Sequence, residues 1–247
     1  MRVFGGVFAA VVALGIWQAI VSLTDVPRFI LPPPALVLET WIANAALIWE
    51  HTLATGQAIL LGLLIGAGLG VLTALNLAAS EFARVTMRPI LVFTQALPVF
   101  ALAPILTLWL GYGIESKVAM AVLIIYFPVT SAFFDGLMRT PPGFLDLAET
   151  MGASRWSTLW RIRVPSALPA LGSGLRLAAV YAPIGAVIGE WVGSSRGLGY
   201  LMLLANGRAK TDLMFAALFT LGLLSILLYV TVNWLTLTYL KRHTPGV

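Results

Sequence analysis

Long apolar runs alternate with short polar interruptions along this chain, and the runs reach the ~20 residues an α-helix needs to cross a bilayer. Six of them predict spanning helices, over 4–23, 52–79, 89–110, 117–137, 166–189 and 213–240. The first follows Met1-Arg2 directly, is long for a signal-peptide core and lacks a small-x-small cleavage pattern before Asp25, so it reads as a retained anchor. Beyond it, Pro32-Pro33-Pro34 stiffens the backbone, and Leu38, Trp41, Ile42, Ala45, Ala46 and Trp49 recur at helical spacing. That pattern predicts a short amphipathic helix, either lying in the membrane interface or packed on the bundle. The chain divides accordingly into residues 1–51, an N-terminal span plus this outer segment, and a core domain over 52–247.

The longest polar interruption, 139–165, reads RTPPGFLDLAETMGASRWSTLWRIRVP. Pro141-Pro142-Gly143 ends the fourth span, and 145–151 then predicts a short helix with Asp146 and Glu149 near its positive N-terminal end. Gly152 suits a left-handed C-cap and Ser154 an N-cap for a second helix, which carries Arg161 and Arg163 in its last turn before Pro165. Leu147, Met151, Trp156, Leu159 and Trp160 are left without cover. Such a helix–turn–helix either inserts into a groove on a partner or packs against the inner end of the bundle.

Composition and charge narrow the class. Of the 247 residues, 60% are hydrophobic and only 10% charged, too little charge to coat a soluble domain. There is no cysteine, so disulfides and thiolate metal sites are excluded. The net charge of +5 is small for the length and implies no nucleic-acid partner. With both termini in the cytoplasm, Arg2, Arg84, Arg88, Arg139, Arg155, Arg161, Arg163, Lys241 and Arg242 fall inside. Arg28, Lys117, Arg196, Arg208 and Lys210 fall outside, so the positive-inside rule favours this orientation nine to five and puts 139–165 in the cytoplasm.

Small residues four apart let helix backbones approach closely in lipid. Gly62, Gly66 and Gly70 form one such ladder, with Gly68 beside it, and Gly185, Gly189, Gly193 and Gly197 form another. Packing within one subunit and a seam between two copies both fit, the first better. Pro98 and Pro104, Pro128, and Pro183 interrupt the third, fourth and fifth spans, as kinks or as breaks beside a wet path. Polar or ionisable groups inside spans are candidates for a substrate path, here Gln95, Tyr126, Arg176, Tyr181, Glu190 and Trp191. Glu190 with Trp191 would suit a cationic or amide-bearing aromatic solute through hydrogen bonding and stacking.

Other classes fare worse. Only His51 and His243 exist, near an outer interface and in the tail, so neither pairs with a midplane serine, and no metal-ligand cluster occurs. A secondary transporter needs coupling carboxylates at midplane, and the acids here lie at span ends. The run from Gly111 to Lys117 lacks the spacing and Gly-Lys-[Ser/Thr] order of a phosphate loop, so no nucleotide site is assigned.

The polar segment resembles the EAA loop of binding-protein-dependent ABC importer permeases, Glu-Ala-Ala, three residues, Gly, nine residues, Ile-x-Leu-Pro. Here Asp146-Leu147-Ala148, then Glu149, Gly152 with Ala153, and Ile162, Val164 and Pro165 occupy the pattern, with Asp for Glu, Leu for Ala and Val for Leu. The run 30–34, the run 95–104 and Leu110-Gly111-Tyr112-Gly113 resemble the nitrate/sulfonate/taurine branch, and 189–202 resembles permeases for hydroxymethylpyrimidine, a thiamin precursor. The resemblance implies an all-α, polytopic membrane protein of about six transmembrane helices with the type I ABC importer permease (MetI-like) fold, in the inner membrane of a prokaryote. It implies a non-catalytic subunit: a second permease copy forming the path as a homodimer, a separate ATPase pair binding ATP and magnesium, and a soluble binding protein delivering solute. The expected solute is a hydroxymethylpyrimidine-type thiamin precursor, with taurine, an alkanesulfonate or nitrate as the alternative within the class.

Overall fold

The computed structural model describes residues 2–24 and 26–243; Met1, Asp25 and the tail past His243 lie outside the described residues. Its order is α1 (Arg2–Thr24), α2 (Pro34–Ala43), α3 (Ala45–Ala79), α4 (Glu81–Ala96), α5 (Val99–Leu110) and α6 (Ile114–Met138). It continues with α7 (Pro142–Thr150), α8 (Arg155–Thr158), a π-helical turn (Leu159–Arg163), α9 (Val164–Gly193), α10 (Leu198–Gly207) and α11 (Thr211–His243). Among the described residues, four continuous helices have the length and apolarity to cross a bilayer: Ala45–Ala79, Ile114–Met138, Arg155–Gly193 and Thr211–Leu240. The bent pair α4–α5 makes a fifth, and α1, with 23 residues, has the length of a sixth.

Helix α6 is the centre of the bundle, packed against both α3 and α9, which also touch each other. The first glycine ladder and the first two rungs of the second face α6, whereas Gly193 meets Thr107 and Tyr112 and Gly197 lies past the end of α9 against Glu190. Gly62, Gly66 and Gly70 of α3 lie against Ala121, Ile125 and Val129, while Gly185 and Gly189 of α9 lie against Ala121 and Lys117. A Cβ on Gly185 would stand 2.6 Å from the Ala121 Cα, and one on Gly62 would collide with the Ala121 side chain. The ladders therefore serve packing within one chain, where close approach gathers the dispersion contacts that hold helices together in lipid. Gly68 points into open space and is not part of the seam. Around this axis Ile59, Ile125, Val129, Ala178 and Ala182 form the middle of the core, Leu77, Phe133, Leu137 and Leu159 one end, and Ile48, Leu198, Leu201 and Ala216 the other.

Several boundaries differ from expectation for identifiable reasons. The predicted helix over 89–110 is two helices meeting at 99°. Pro98 forces Leu97 into an extended conformation (φ −80°, ψ 127°), and α5 starts afresh after it. The amphipathic stretch over 38–49 is divided at Asn44, its first half in α2 and its second in the opening turns of α3. Helix α2 packs on the bundle: Thr40 Oγ1 donates to Asp212 Oδ2 at 2.7 Å, and Trp41 Nε1 donates to Thr220 Oγ1 at 2.9 Å, both on α11. The fifth span does not begin at 166, because Pro165 does not end the helix before it. Val164 N–H donates to the Leu159 carbonyl across a π-helical turn, and the chain runs as one 39-residue helix from Arg155 to Gly193. Proline near the start of a helical segment loses no bond that the wider turn has not already rearranged. Arg161 and Arg163 consequently lie within a helix, not at its end.

Candidate functional site

At one end of the bundle the 139–165 segment forms a helical hairpin. Met151 N–H donates to Leu147 O at 3.0 Å, Gly152 N–H to Glu149 O at 2.9 Å and Ala153 N–H to Ala148 O at 2.9 Å. Gly152 sits at φ +70°, so the chain leaves α7 through a left-handed C-terminal turn that a side chain would strain. Ser154 then caps α8, its hydroxyl accepting from Ser157 N–H at 3.2 Å. Helix α7 starts at Pro142, three residues before the predicted start, so Asp146 and Glu149 lie past its first turn and do not face its N-terminal dipole.

Burial separates the hairpin residues into groups. Leu159 is buried in the core at this end of the bundle, so it is not one of the uncovered residues, and Ala148 is buried as well. Leu147, Met151, Trp156 and Trp160 are 57%, 77%, 64% and 55% exposed, apolar side chains that the chain leaves uncovered. Asp146, Glu149, Gly152 and Ala153 are exposed as well, and Ile162, Val164 and Pro165 are half-buried. Behind the hairpin, a cleft of about 880 Å³ is bordered by Arg84, Glu149, Arg155, Trp156 and Arg163.

The opposite end holds a buried polar knot, built around Glu190 of α9, which is 1% exposed. Thr55 Oγ1 of α3 donates to Glu190 Oε1 at 2.7 Å, and Gly199 N–H of α10 donates to Oε2 at 2.6 Å. Leu198 N–H donates to Thr55 Oγ1 at 2.7 Å, and Gly197 N–H to His51 Nδ1 at 2.9 Å. The free N–H groups that open α10 are thus met by side chains from two other helices. Gly197, at φ +116°, lies so close to the Glu190 carboxyl that any side chain would overlap it. Nearby, Lys117 Nζ donates to the carbonyls of Tyr112 (3.1 Å) and Gly113 (2.7 Å), tying the α5–α6 turn to α6.

The remaining path candidates are distributed over several helices. Tyr126 Oη donates to Thr73 Oγ1 at 2.9 Å between α6 and α3. Arg176 donates to Ser173 Oγ at 2.9 Å along α9. Tyr181 and Trp191 are exposed on the same helix, and Gln95 is exposed two residues before the α4–α5 bend. Arg176, Tyr181 and Trp191 flank one uncovered stripe of α9, whereas Glu190 points to the interior of the chain. Helix α10 was not predicted, and His51, Thr55, Gly197 and Gly199, which hold it, were not read as a cluster. The polar tripeptide Ser194-Ser195-Arg196 followed by Gly-Leu-Gly was the available signal for a helix start there.

The chain is thus a membrane bundle with an exposed helical hairpin at one end and a buried polar knot at the other. Residues 58–242 match the family of binding-protein-dependent transport system inner membrane components, and the chain belongs to that family. It is 52% identical to a probable ABC transporter permease protein of Haemophilus influenzae, over 91% of each chain. It is 38% identical to the formylaminopyrimidine transport permease protein ThiX of Halalkalibacterium halodurans (88% of this chain, 87% of the relative). It is 39% identical to the riboflavin transport system permease protein RibX of Chloroflexus aurantiacus (87% and 81%). In fold it is similar to a chain of the inward-facing MetNI methionine ABC transporter, with TM-score 0.61 and 19% identity over 77% of this chain and 93% of that one. This is an ABC importer permease subunit of the inner membrane, with the type I permease fold that its sequence led us to expect.

Proposed function

We propose that this chain forms one half of the translocation path of an ATP-driven importer and couples to a separate ATPase through the 139–165 hairpin. The observation that carries the reading is the uncovered apolar surface of the hairpin, Leu147 and Met151 at α7 and Trp156 and Trp160 at the start of the helix that continues into α9. A push on Trp156 and Trp160 by an ATPase pair binding ATP and magnesium would pass through the π-helical turn into the one continuous helix from Arg155 to Gly193. Both termini and the hairpin are then cytoplasmic, a second copy of the chain completes the path, and a soluble binding protein delivers solute at the opposite end.

The proposed solute is a hydroxymethylpyrimidine-type thiamin precursor. Two named relatives support it: formylaminopyrimidine is itself a pyrimidine, and riboflavin carries a pyrimidine ring within its fused system. On this reading Arg176, Tyr181 and Trp191 of α9, with Gln95 and Tyr126 on neighbouring helices, supply stacking surfaces and donors along the path, while Glu190 shapes it by holding α10. Replacing Trp156 and Trp160 together by Glu tests the coupling assignment. Loss of co-purification with the ATPase at unchanged detergent melting temperature is expected; a complex of normal stoichiometry and activity would overturn it.

A further inference from the structure

The cleft behind the hairpin is walled by α4 as well as by the hairpin itself. Glu81 and Arg84 at the start of α4 line it together with Glu149 of α7, Arg155 of α8 and Arg163 of the π-helical turn. A second hollow, of about 660 Å³, shares Arg84 with the cleft and is otherwise lined by Val85, Arg88, Pro89, Val92 and Phe93. Val85, Val92 and Phe93 are exposed, and α4 belongs to the bent pair that makes one apolar span. From Arg84 to Phe93 this groove follows α4 for about 14 Å, at 1.5 Å of rise per residue.

The arginines of the two hollows keep donors to spare. A guanidinium offers several N–H groups in one plane. Arg84 Nε donates to the Leu77 carbonyl at 3.3 Å, and Arg163 Nη1 lies 3.9 Å from the Met138 sulfur. None of Arg84, Arg88, Arg155 and Arg163 forms an ion pair among the described residues. Arg84 also stands in the first turn of α4, where the helix dipole disfavours a cation. Its placement is therefore not explained by the helix that carries it.

We propose that the cleft and the groove together hold one anionic phospholipid of the cytoplasmic leaflet. Its phosphodiester lies among Arg84, Arg155 and Arg163, and an acyl chain follows α4 over Val85, Val92 and Phe93. Planar guanidinium groups match phosphate oxygens in pairs, and basic pockets at the cytoplasmic ends of spans draw anionic headgroups. Three arginines against two acids leave one net positive charge on the cleft wall. That balance suits a headgroup with a single negative charge and free hydroxyls, which can donate to Glu81 and Glu149; phosphatidylglycerol has both. A lipid so placed ties α4 to the hairpin. The leaflet follows from the orientation given above, but the binding itself does not depend on it.

The test is native mass spectrometry of the full chain, stripped of lipid in detergent and titrated with phosphatidylglycerol or with phosphatidylcholine of the same acyl chains. A preference of about tenfold or more for phosphatidylglycerol at one site is expected. It should fall to near parity in the double variant Arg155→Gln, Arg163→Gln at unchanged melting temperature, and rise in Glu81→Gln, which removes an acid from the wall. Arg88→Gln, in the groove, is a second variant that should lower it as well. Arg161→Gln, exposed but outside the cleft wall, should leave it unchanged. Equal retention of the two lipids would overturn the proposal, as would a preference lost equally in Arg161→Gln. Competition by glycerol phosphate as strong as by the lipid would mark an ion site without a groove and overturn it too. So would loss of the adduct on dimerisation, which would assign α4 to a seam between copies, or on assembly with the ATPase, which would assign the cleft to that contact. The titration in detergent needs neither sidedness nor an ATPase, so its failure leaves the importer reading standing.

Discussion

Replacing Glu190 by alanine removes the acceptor on which the start of α10 depends. The Thr55 hydroxyl and the Gly199 N–H both lose their partner, and both are buried. Each orphaned buried donor costs about 1–3 kcal/mol, and the acidic group facing the α10 N-terminus contributes about 0.3–1 kcal/mol more. Release of the buried carboxyl from its apolar surroundings offsets part of this, leaving a net loss of about 3 kcal/mol. For a chain of this length about 3 kcal/mol lowers the melting temperature by roughly 6–12 °C. Glutamine should lose about half as much. Its carbonyl can accept from Gly199 and its amide can donate to Thr55 Oγ1, so only the Thr55 proton is left without a partner. Thermal melting in detergent gives the magnitude, and amide exchange over 197–201 locates it: those N–H groups should exchange faster in Glu190→Ala while the middle of α6 stays protected. Melting and exchange indistinguishable from wild type would refute the claim that this carboxyl anchors α10.

Other consequences follow from the same geometry. Gly62→Ala and Gly185→Ala should each lower stability by about 1–3 kcal/mol, because the added methyl meets Ala121; Gly68→Ala, with nothing within 4 Å, should be neutral in the same melting assay. Gly152→Ala meets no neighbour but must adopt φ +70°, so it should cost about 1–2 kcal/mol locally, read as faster amide exchange at Ala153. Thr55→Val keeps the side chain's size but deletes both the donor to Glu190 and the acceptor for Leu198 N–H, and should destabilise by about 2 kcal/mol, with a melting shift smaller than that of Glu190→Ala.

The parts of this fold that were legible in the sequence are those set by local composition. Apolar run length located the spans, because the bilayer fixes how long a helix must be. The glycine spacing marked where backbones approach, although nothing local revealed that Gly62, Gly66, Gly70, Gly185 and Gly189 meet the same helix, α6, while Gly193 and Gly197 do not. Pro98 signalled irregularity, but a kink and a 99° turn have the same sequence signature, and neighbouring helices decide between them. Pro165 was misleading: proline usually ends a helix, and here a π-helical turn admits it without a break. In the hairpin, Gly152 and Ser154 carry their own backbone instructions and were readable as caps. Glu190 was recognisable as an unusual group in a span, yet its partners Thr55 and Gly199 stand 135 residues before it and 9 after it. The first partner is invisible to any local pattern, and without it α10 merges into the surrounding apolar sequence.

The most direct test of the central claim is ATPase activity of this chain reconstituted in nanodiscs with its neighbouring ATPase and binding protein, measured with hydroxymethylpyrimidine beside riboflavin, taurine, an alkanesulfonate and nitrate. The account predicts assembly through the 139–165 hairpin and stimulation by the pyrimidine, lost in the Trp156→Glu, Trp160→Glu variant. Stimulation by a sulfonate or nitrate alone would contradict the assigned solute, and failure to assemble with the ATPase would contradict the coupling account as a whole.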